Sequence, residues 1–274
     1  MKLQKETVVK GSEYYSMIAQ EYQDHITKDP FWRQYHQRRM DKLNLLIATE
    51  RSSRILDFGC GTGENVIKLL GSGHTVSGID AAPSMVAISK EQLMKNGYDP
   101  SLVILGDVKS LKSYESGQFD IVYSLNVLPF LSEEEEEEFY LQAKRITAPS
   151  GVIAVSHTNE LVDLVTFNRY TVEFWRDRII PGLSANASEA ADLLGIVSSH
   201  LTHPDIPSLD TTHKSERDVI QKRRANPIDY PEKLRKRFGL LAEEKAFTYF
   251  SPCRHNSWKI AIDIETAYSN SKTT

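Results

Sequence analysis

Cysteine is nearly absent from this chain: Cys60 and Cys253 are the only two. A disulfide framework and a thiolate zinc cluster are both excluded, and the default expectation is a reduced, cytoplasmic location. Long apolar runs are missing as well. No stretch approaches the roughly 20 residues a membrane span requires, and the opening MKLQKETVVK lacks the continuous apolar core of a signal peptide. No membrane association is therefore expected. Strong charge of one sign is also lacking. A formal net charge of −4 offers no general attraction to nucleic acid or to anionic lipid. Internal repeats and low-complexity linkers are not seen.

What is present is an ordinary globular composition, with 40% hydrophobic and 26% charged residues over 274 positions. That length suits one large domain, or one domain with a substantial insertion. The first fifty residues read as helix, with Met40, Leu43, Leu46 and Ile47 at helical spacing. Beyond Ser53 the pattern changes to short apolar runs alternating with amphipathic segments. RILDFG, HTVSGID, LVILGD, FDIVYSL and GVIAVS read as strands. GENVIKLLGSG and PSMVAISKEQLMKNG read as helices, the second with Pro83 in its first turn and Gly97 at its C-terminal end. This alternation predicts a parallel sheet covered on both faces.

The acidic run SEEEEEEFYLQAKRI reads as a solvated helix: Ser132 and Glu135 stand at capping-box spacing, and Phe139, Ala143 and Ile146 supply its apolar stripe. From about His157 to Arg224 the alternation lapses into an aromatic-rich insertion after the fifth strand. It resumes with DYPEKLRKRFG as a helix, then EKAFTYF and WKIAIDIE as strands. No helix separates that last pair, so they are expected to form a hairpin. The expectation is an α/β fold with a seven-stranded, mostly parallel sheet and an antiparallel last strand.

The densest signal is RILDFGCGTGENV, a G-x-G-x-G loop (Gly59, Gly61, Gly63) between the first strand and a helix. Glycines there admit positive φ and let a ligand approach the backbone. Asp80 ends the next strand, where a carboxylate can take both hydroxyls of a ribose. That much suits NAD and S-adenosylmethionine equally. Asp57 separates them: a carboxylate two residues before the loop repels a pyrophosphate, whereas it favours an ammonium and a sulfonium. The Gly-Lys-Ser/Thr ending of a nucleotide P-loop is missing.

At these residues the chain resembles the class I S-adenosylmethionine-dependent methyltransferases. ILDFGCGTG is similar to their first motif, VSGIDAAPSMVAIS to the second-strand region, LGDVKSL to the adenine segment, FDIVYSLNVLPFL to the fourth strand and its exit, and PSGVIAVS to the fifth strand. The resemblance implies a Rossmann-like doubly wound sheet with S-adenosyl-L-methionine as cofactor. It implies that Gly59 and Gly61, with Asp57, Cys60 and Gly63 of the same loop, hold the methionine end. Asp80 would bind the ribose, with Ala81 and Met85 by the adenosine, while Asp107 and Val108 flank the adenine and Asn126 opens onto cofactor and acceptor. SEYYSMIAQEYQDH resembles the family's leading helix, which makes Tyr14, Tyr15 and Tyr22 candidates for a lid. The organisation expected is a helical lid over 1–50, the cofactor-binding core over 51–156, an acceptor-binding insertion over 157–225, and a helix and strand hairpin over 226–268 completing the sheet. A looser resemblance of the carboxyl-terminal part is to bacterial small-molecule and saccharide-pathway methyltransferases.

The acceptor is less legible. His157, read as lying directly after the fifth strand, is the candidate general base for a hydroxyl acceptor, beside the alternative of a structural histidine. His200, His203 and His213 lack metal-ligand spacing, so no metal is expected. NPIDY (226–230) is similar to an Asn-Pro-Pro-aromatic signature but stands far from the fourth strand, where that signature belongs; it reads as a helix start. The clusters Lys222–Arg224 and Arg235–Arg237 lack interleaved aromatics, which argues against nucleic acid. Three readings remain: an enzyme methylating oxygen or nitrogen of a small metabolite, a protein or RNA methyltransferase, and a non-catalytic cofactor-binding partner. The apolar positions Leu164, Phe167, Tyr170, Phe174 and Trp175 are the expected seat of acceptor choice, beside the alternative of simple packing.

Overall fold

Short apolar runs bounded by turn residues form the central strands of this protein, as a sheet buried on both faces requires. The computed structural model describes residues 9–30, 33–34, 36–37, 41, 52–158, 169–200, 223, 225–226, 229–245 and 257–263. Two helices, α1 (Gly11–Met17) and α2 (Ala19–Lys28), lead into β1 (Arg54–Phe58), α3 (Glu64–Gly71), β2 (Thr75–Asp80), α4 (Pro83–Lys95), β3 (Val103–Leu105) and β4 (Phe119–Ser124). There follow α5 (Glu133–Ile146), β5 (Thr147–Thr158), α6 (Arg169–Phe174), α7 (Ile180–Leu183), α8 (Ala187–His200), α9 (Tyr230–Phe238), β6 (Leu241–Lys245) and β7 (Ser257–Asp263). The helix read around Met40–Ile47 lies outside the described residues.

The sheet order is β3-β2-β1-β4-β5-β7-β6. β1 to β5 are parallel, while β7 runs antiparallel to both β5 and β6. The mostly parallel, doubly wound sheet with an antiparallel last strand thus has the form expected. Two boundaries move. β6 begins at Leu241, three residues before the strand read from EKAFTYF, whose remainder (246–250) lies outside the described residues. β5 starts directly from the end of α5 and runs through Thr158, so His157 lies within the strand rather than after it, paired with Trp258 of β7.

Alternation along the strands sorts the core into two layers. Leu56, Phe58, Val122, Ile153 and Val155 face α5 and α9, against Phe139, Tyr140, Leu234 and Phe238. Ile55, Ile121, Tyr123 and Ala154 face α3 and α4, against Val66, Leu69, Val86 and Leu93. The two leading helices pack on α4 through Ala19, Met85 and the rings of Tyr15 and Tyr22.

α5 begins with a complete capping box, in which the Ser132 hydroxyl accepts from the Glu135 amide and the Glu135 carboxylate accepts from the Ser132 amide. The acidic run is not wholly solvated, however. Glu136 is 5% exposed, because it falls one turn before Phe139 and Tyr140 on the stripe that faces the sheet. Ser132→Ala is expected to lower the unfolding free energy by about 1 kcal/mol, read from urea titration, through loss of that cap.

Candidate active site

Strand order reverses between β1 and β4, and the carboxyl ends of the strands open a crevice there. A cavity of about 520 Å³ occupies it, lined by Phe58, Gly59, Gly61, Asp80, Ala81, Met85, Asp107, Val108 and the β4 exit from Leu125 to Val127. Lys10, Gly11, Ser12, Tyr15 and Tyr22 of the leading segment line it from another side. Tyr15 is set edge-on to both Tyr22 and Phe130.

Asp80 is held before any ligand arrives. One carboxylate oxygen accepts from the Gly61 amide at 2.8 Å and the other from the Ala82 amide at 2.8 Å. Burial raises its pKa, against the lowering effect of those amides. Gly61 has φ +54°, and a β-carbon added to it would meet no protein atom within 4 Å. The backbone there borders the cavity directly. Asp107 caps the short helical turn Val108–Ser113, with one carboxylate oxygen accepting from the Lys109 amide at 2.9 Å. Asn126 is the one non-glycine described residue with positive φ (63°), and its amide donates to Ser156 Oγ at 2.8 Å. Such a backbone costs energy and persists where its surroundings hold it, as at ligand sites.

Of the residues proposed from the sequence, Gly59, Gly61, Asp80, Ala81, Met85, Asp107, Val108, Asn126, Tyr15 and Tyr22 line this cavity. Asp57, Cys60, Gly63 and Tyr14 do not line it. Asp57 is 1% exposed, and its carboxylate accepts from the Tyr123 hydroxyl at 2.5 Å, across the β1–β4 pair. Cys60 is buried, and burial together with the Asp57 and Asp80 charges raises its pKa well above the usual thiol value, keeping it protonated. Gly63 (φ +81°) serves close helix packing: a β-carbon would fall 2.2 Å from Ser89 Oγ on α4. Tyr14 sits edge-on to Tyr15 and is turned off the cavity. The sequence signal for Tyr15 is its stripe with Ala19, Tyr22 and Ile26, from which Tyr14 departs. Phe130 and Leu131 carried no comparable signal.

His157 faces the other side of the wall. Strand alternation directs it toward α5 and α9, where its Nε2 lies 3.3 Å from the Tyr140 hydroxyl and its ring 4.3 Å from that of Tyr230. It lines a second cavity of about 200 Å³ with Glu136, Arg223, Asn226, Tyr230 and Lys233, which shares no lining residue with the first. The expected base therefore does not reach the cofactor cavity. Tyr230 donates to Glu136 and also contacts the Tyr140 hydroxyl at 3.1 Å; Arg223 pairs with Glu136. Burial opposes ionisation of Glu136, but the Tyr230 hydroxyl and the neighbouring positive groups lower its pKa overall. His200 closes α8, and His203 and His213 lie outside the described residues.

Burial, reinforced by Arg223 and Lys233 against the pull of Glu136, lowers His157 from 6.5 to about 4. It is neutral at pH 7. The unfolded chain takes up its proton first, so stability is intact above pH 6.5 and is lost as pH falls toward 4. A shift of that size corresponds to about 3 kcal/mol. Urea unfolding between those pH values is expected to show this slope, and His157→Gln to flatten it.

Known proteins resemble the chain over this same region. Residues 55–151 match the family model described as a methyltransferase domain. The 2-heptyl-1-hydroxyquinolin-4(1H)-one methyltransferase of Mycobacteroides abscessus is 26% identical over 97 residues, 35% of this chain and 42% of that one. The 18S rRNA (guanine-N(7))-methyltransferase bud23 of Schizosaccharomyces pombe is 33% identical over 86 residues, 31% of each. The magnesium protoporphyrin IX methyltransferase (ChlM) of Synechocystis, solved with bound SAH, superposes with a TM-score of 0.59 at 16% identity, over 92% of this chain and 96% of that one. The matched segments span 30% to 58% of the length of the curated relatives.

Fold and site thus define a Rossmann-like methyltransferase domain. Within that class, residues 55–151 carry the match to the methyltransferase-domain family model, and over them the chain is similar to the class I S-adenosylmethionine-dependent methyltransferases. The cofactor of that family is S-adenosyl-L-methionine.

Proposed function

We propose that this protein transfers a methyl group from S-adenosylmethionine to an oxygen or nitrogen of a small metabolite. The carrying observation is the cavity at the switch point, with bare backbone at Gly61, a carboxylate preset at Asp80, and helices α1 and α2 along its rim. Helices α1 and α2 act as a lid, and the crevice that they border admits a small acceptor more readily than a macromolecular surface. The quinolone-methylating relative supports this reading; the rRNA-methylating relative favours the alternative, a macromolecular acceptor.

The donor group fits the residues present. The backbone of Gly59 and Gly61 receives the methionine portion, Asp80 the ribose hydroxyls, and Asp107 with Val108 the adenine. When bound, the cofactor supplies a methyl carbon made electrophilic by its positive sulfur. The chain then has to align the acceptor and exclude water. Tyr15, Tyr22 and Phe130 exclude water from the lid side, and the strained turn at Asn126 forms the acceptor-side wall. His157 is neutral but faces away from this cavity; its expected part is to hold the carboxyl end of β5 through Tyr140, not to remove the acceptor proton.

Calorimetry is expected to show binding of S-adenosylmethionine and S-adenosylhomocysteine and none of NAD. Asp80→Ala should weaken the nucleoside ligands about tenfold or more, since it removes ribose hydrogen bonds and also releases the Gly61 and Ala82 amides. Comparable NAD affinity in the wild-type chain would overturn the cofactor reading.

Acceptor choice is assigned to the insertion 157–225. Leu164 and Phe167 lie outside the described residues, and the backbone alone is described at Tyr170. Trp175 opens a π-helical turn (Trp175–Ile179), and its buried indole Nε1 has no hydrogen-bond partner among the described residues. A buried donor without a partner is costly unless a ligand completes it. Cofactor consumption screened against a metabolite panel identifies the acceptor. With that acceptor, Trp175→Phe should raise KM while leaving S-adenosylhomocysteine affinity unchanged.

A further inference from the structure

We propose that Arg223 is a positioning residue of the cofactor cavity, which it adjusts from outside by holding the backbone of the β4 exit loop. This rests on the methyltransferase reading for its functional consequence, though not for its structural one. The loop from Leu125 to Ser132 supplies one wall of the cavity, including Asn126, Val127, Phe130 and Leu131. Arg223 does not line that cavity; it stands in the neighbouring one.

Yet Arg223 bonds three successive stations of the loop. Its amide donates to the Pro129 carbonyl at 2.6 Å, and its Nη1 reaches the carbonyls of Leu131 at 3.4 Å and Ser132 at 3.2 Å. The same guanidinium pairs with Glu136, a carboxylate 5% exposed that also accepts from Tyr230, and it contacts Glu133 at 3.4 Å. A planar fork with several fixed donors can serve carbonyls and a carboxylate together, which a lysine ammonium cannot do in the same geometry.

The placement gives this clamp its meaning. Arg223 lies where the insertion returns to the sheet, two residues before Ala225, whose amide donates to the Thr158 carbonyl at the end of β5. On the opposite side of the loop, Gly11 of α1 packs on Phe130 so closely that a β-carbon would fall 2.9 Å from Phe130 Cβ. The β4 exit is therefore gripped between the lid and the end of the insertion. Asn126 keeps its positive φ within that grip. Arg223 communicates the state of the insertion to the cofactor wall through backbone carbonyls alone.

The test compares Arg223→Lys and Arg223→Met with the wild-type full chain by amide hydrogen exchange and by S-adenosylhomocysteine calorimetry. Arg223→Lys retains a charge beside Glu136, so its melting temperature should stay near that of the wild type. Exchange in 126–132 should nevertheless rise about tenfold in both variants, with exchange in 54–80 unchanged. Affinity for S-adenosylhomocysteine should fall about fivefold in Arg223→Lys, and added methylguanidinium should restore part of it in Arg223→Met. Unchanged exchange in 126–132 in either folded variant overturns the proposal, as does a rise spread evenly over the chain. Failure of the wild-type chain to bind S-adenosylhomocysteine would instead remove the cofactor reading, while the exchange result still decides whether Arg223 holds the loop.

Discussion

The reversal of strand order at β1 is the constraint on which the rest of this structure depends. Because β2 and β4 lie on opposite sides of β1, the chain segments leaving β1 and β4 must diverge, and their parting leaves a crevice no core residue fills. Most of the residues proposed to carry chemistry are arranged around that crevice. The glycine loop leaves β1 at its edge, Asp80 ends β2 beside it, and the strained turn at Asn126 leaves β4 across from it. Asp57 and Tyr123 close the floor beneath by pairing across the same two strands.

Several polar groups near the crevice are answered by partners from elsewhere in the chain, while Ser89 Oγ and Ser124 Oγ have none among the described residues. Asp80 is answered by loop amides, Asp57 by Tyr123, Glu136 by Tyr230 and Arg223, and Asn126 by Ser156. A buried polar network of this kind is costly when incomplete and rigidifying when satisfied. Here it surrounds a cavity that must stay open. The loop between β4 and α5 separates two cavities of different character, one suited to a nucleoside and the other lined by Glu136, His157, Arg223 and Lys233. That separation is why a histidine at the end of β5 serves the second cavity.

Legibility in the sequence followed the range of each interaction. The glycine loop, Asp80, the Ser132–Glu135 capping box and the αL glycine after α4 (Gly97, φ +77°) are local, and each was readable from its own neighbourhood. His157 was misplaced because a strand boundary was set two residues short, and period-two alternation then decided which face it took. Glu136 was read as solvated because nothing within α5 announces Tyr230 and Arg223, which lie about ninety residues away. Tyr15 was named from the leading helix; Phe130 was not, since its contact with Tyr15 arises only where α1 meets the β4 exit.

By itself the sequence determined the class of fold and the resemblance to the methyltransferases, because these rest on hydrophobic period, turn chemistry and a contiguous motif, all properties of neighbouring residues. Tertiary structure alone decided which glycine borders the cavity and which faces a helix, which tyrosine lines the cavity, and which side of the sheet His157 serves. Those outcomes depend on through-space contacts among elements whose order in the chain is not their order in the sheet, so no local pattern encodes them.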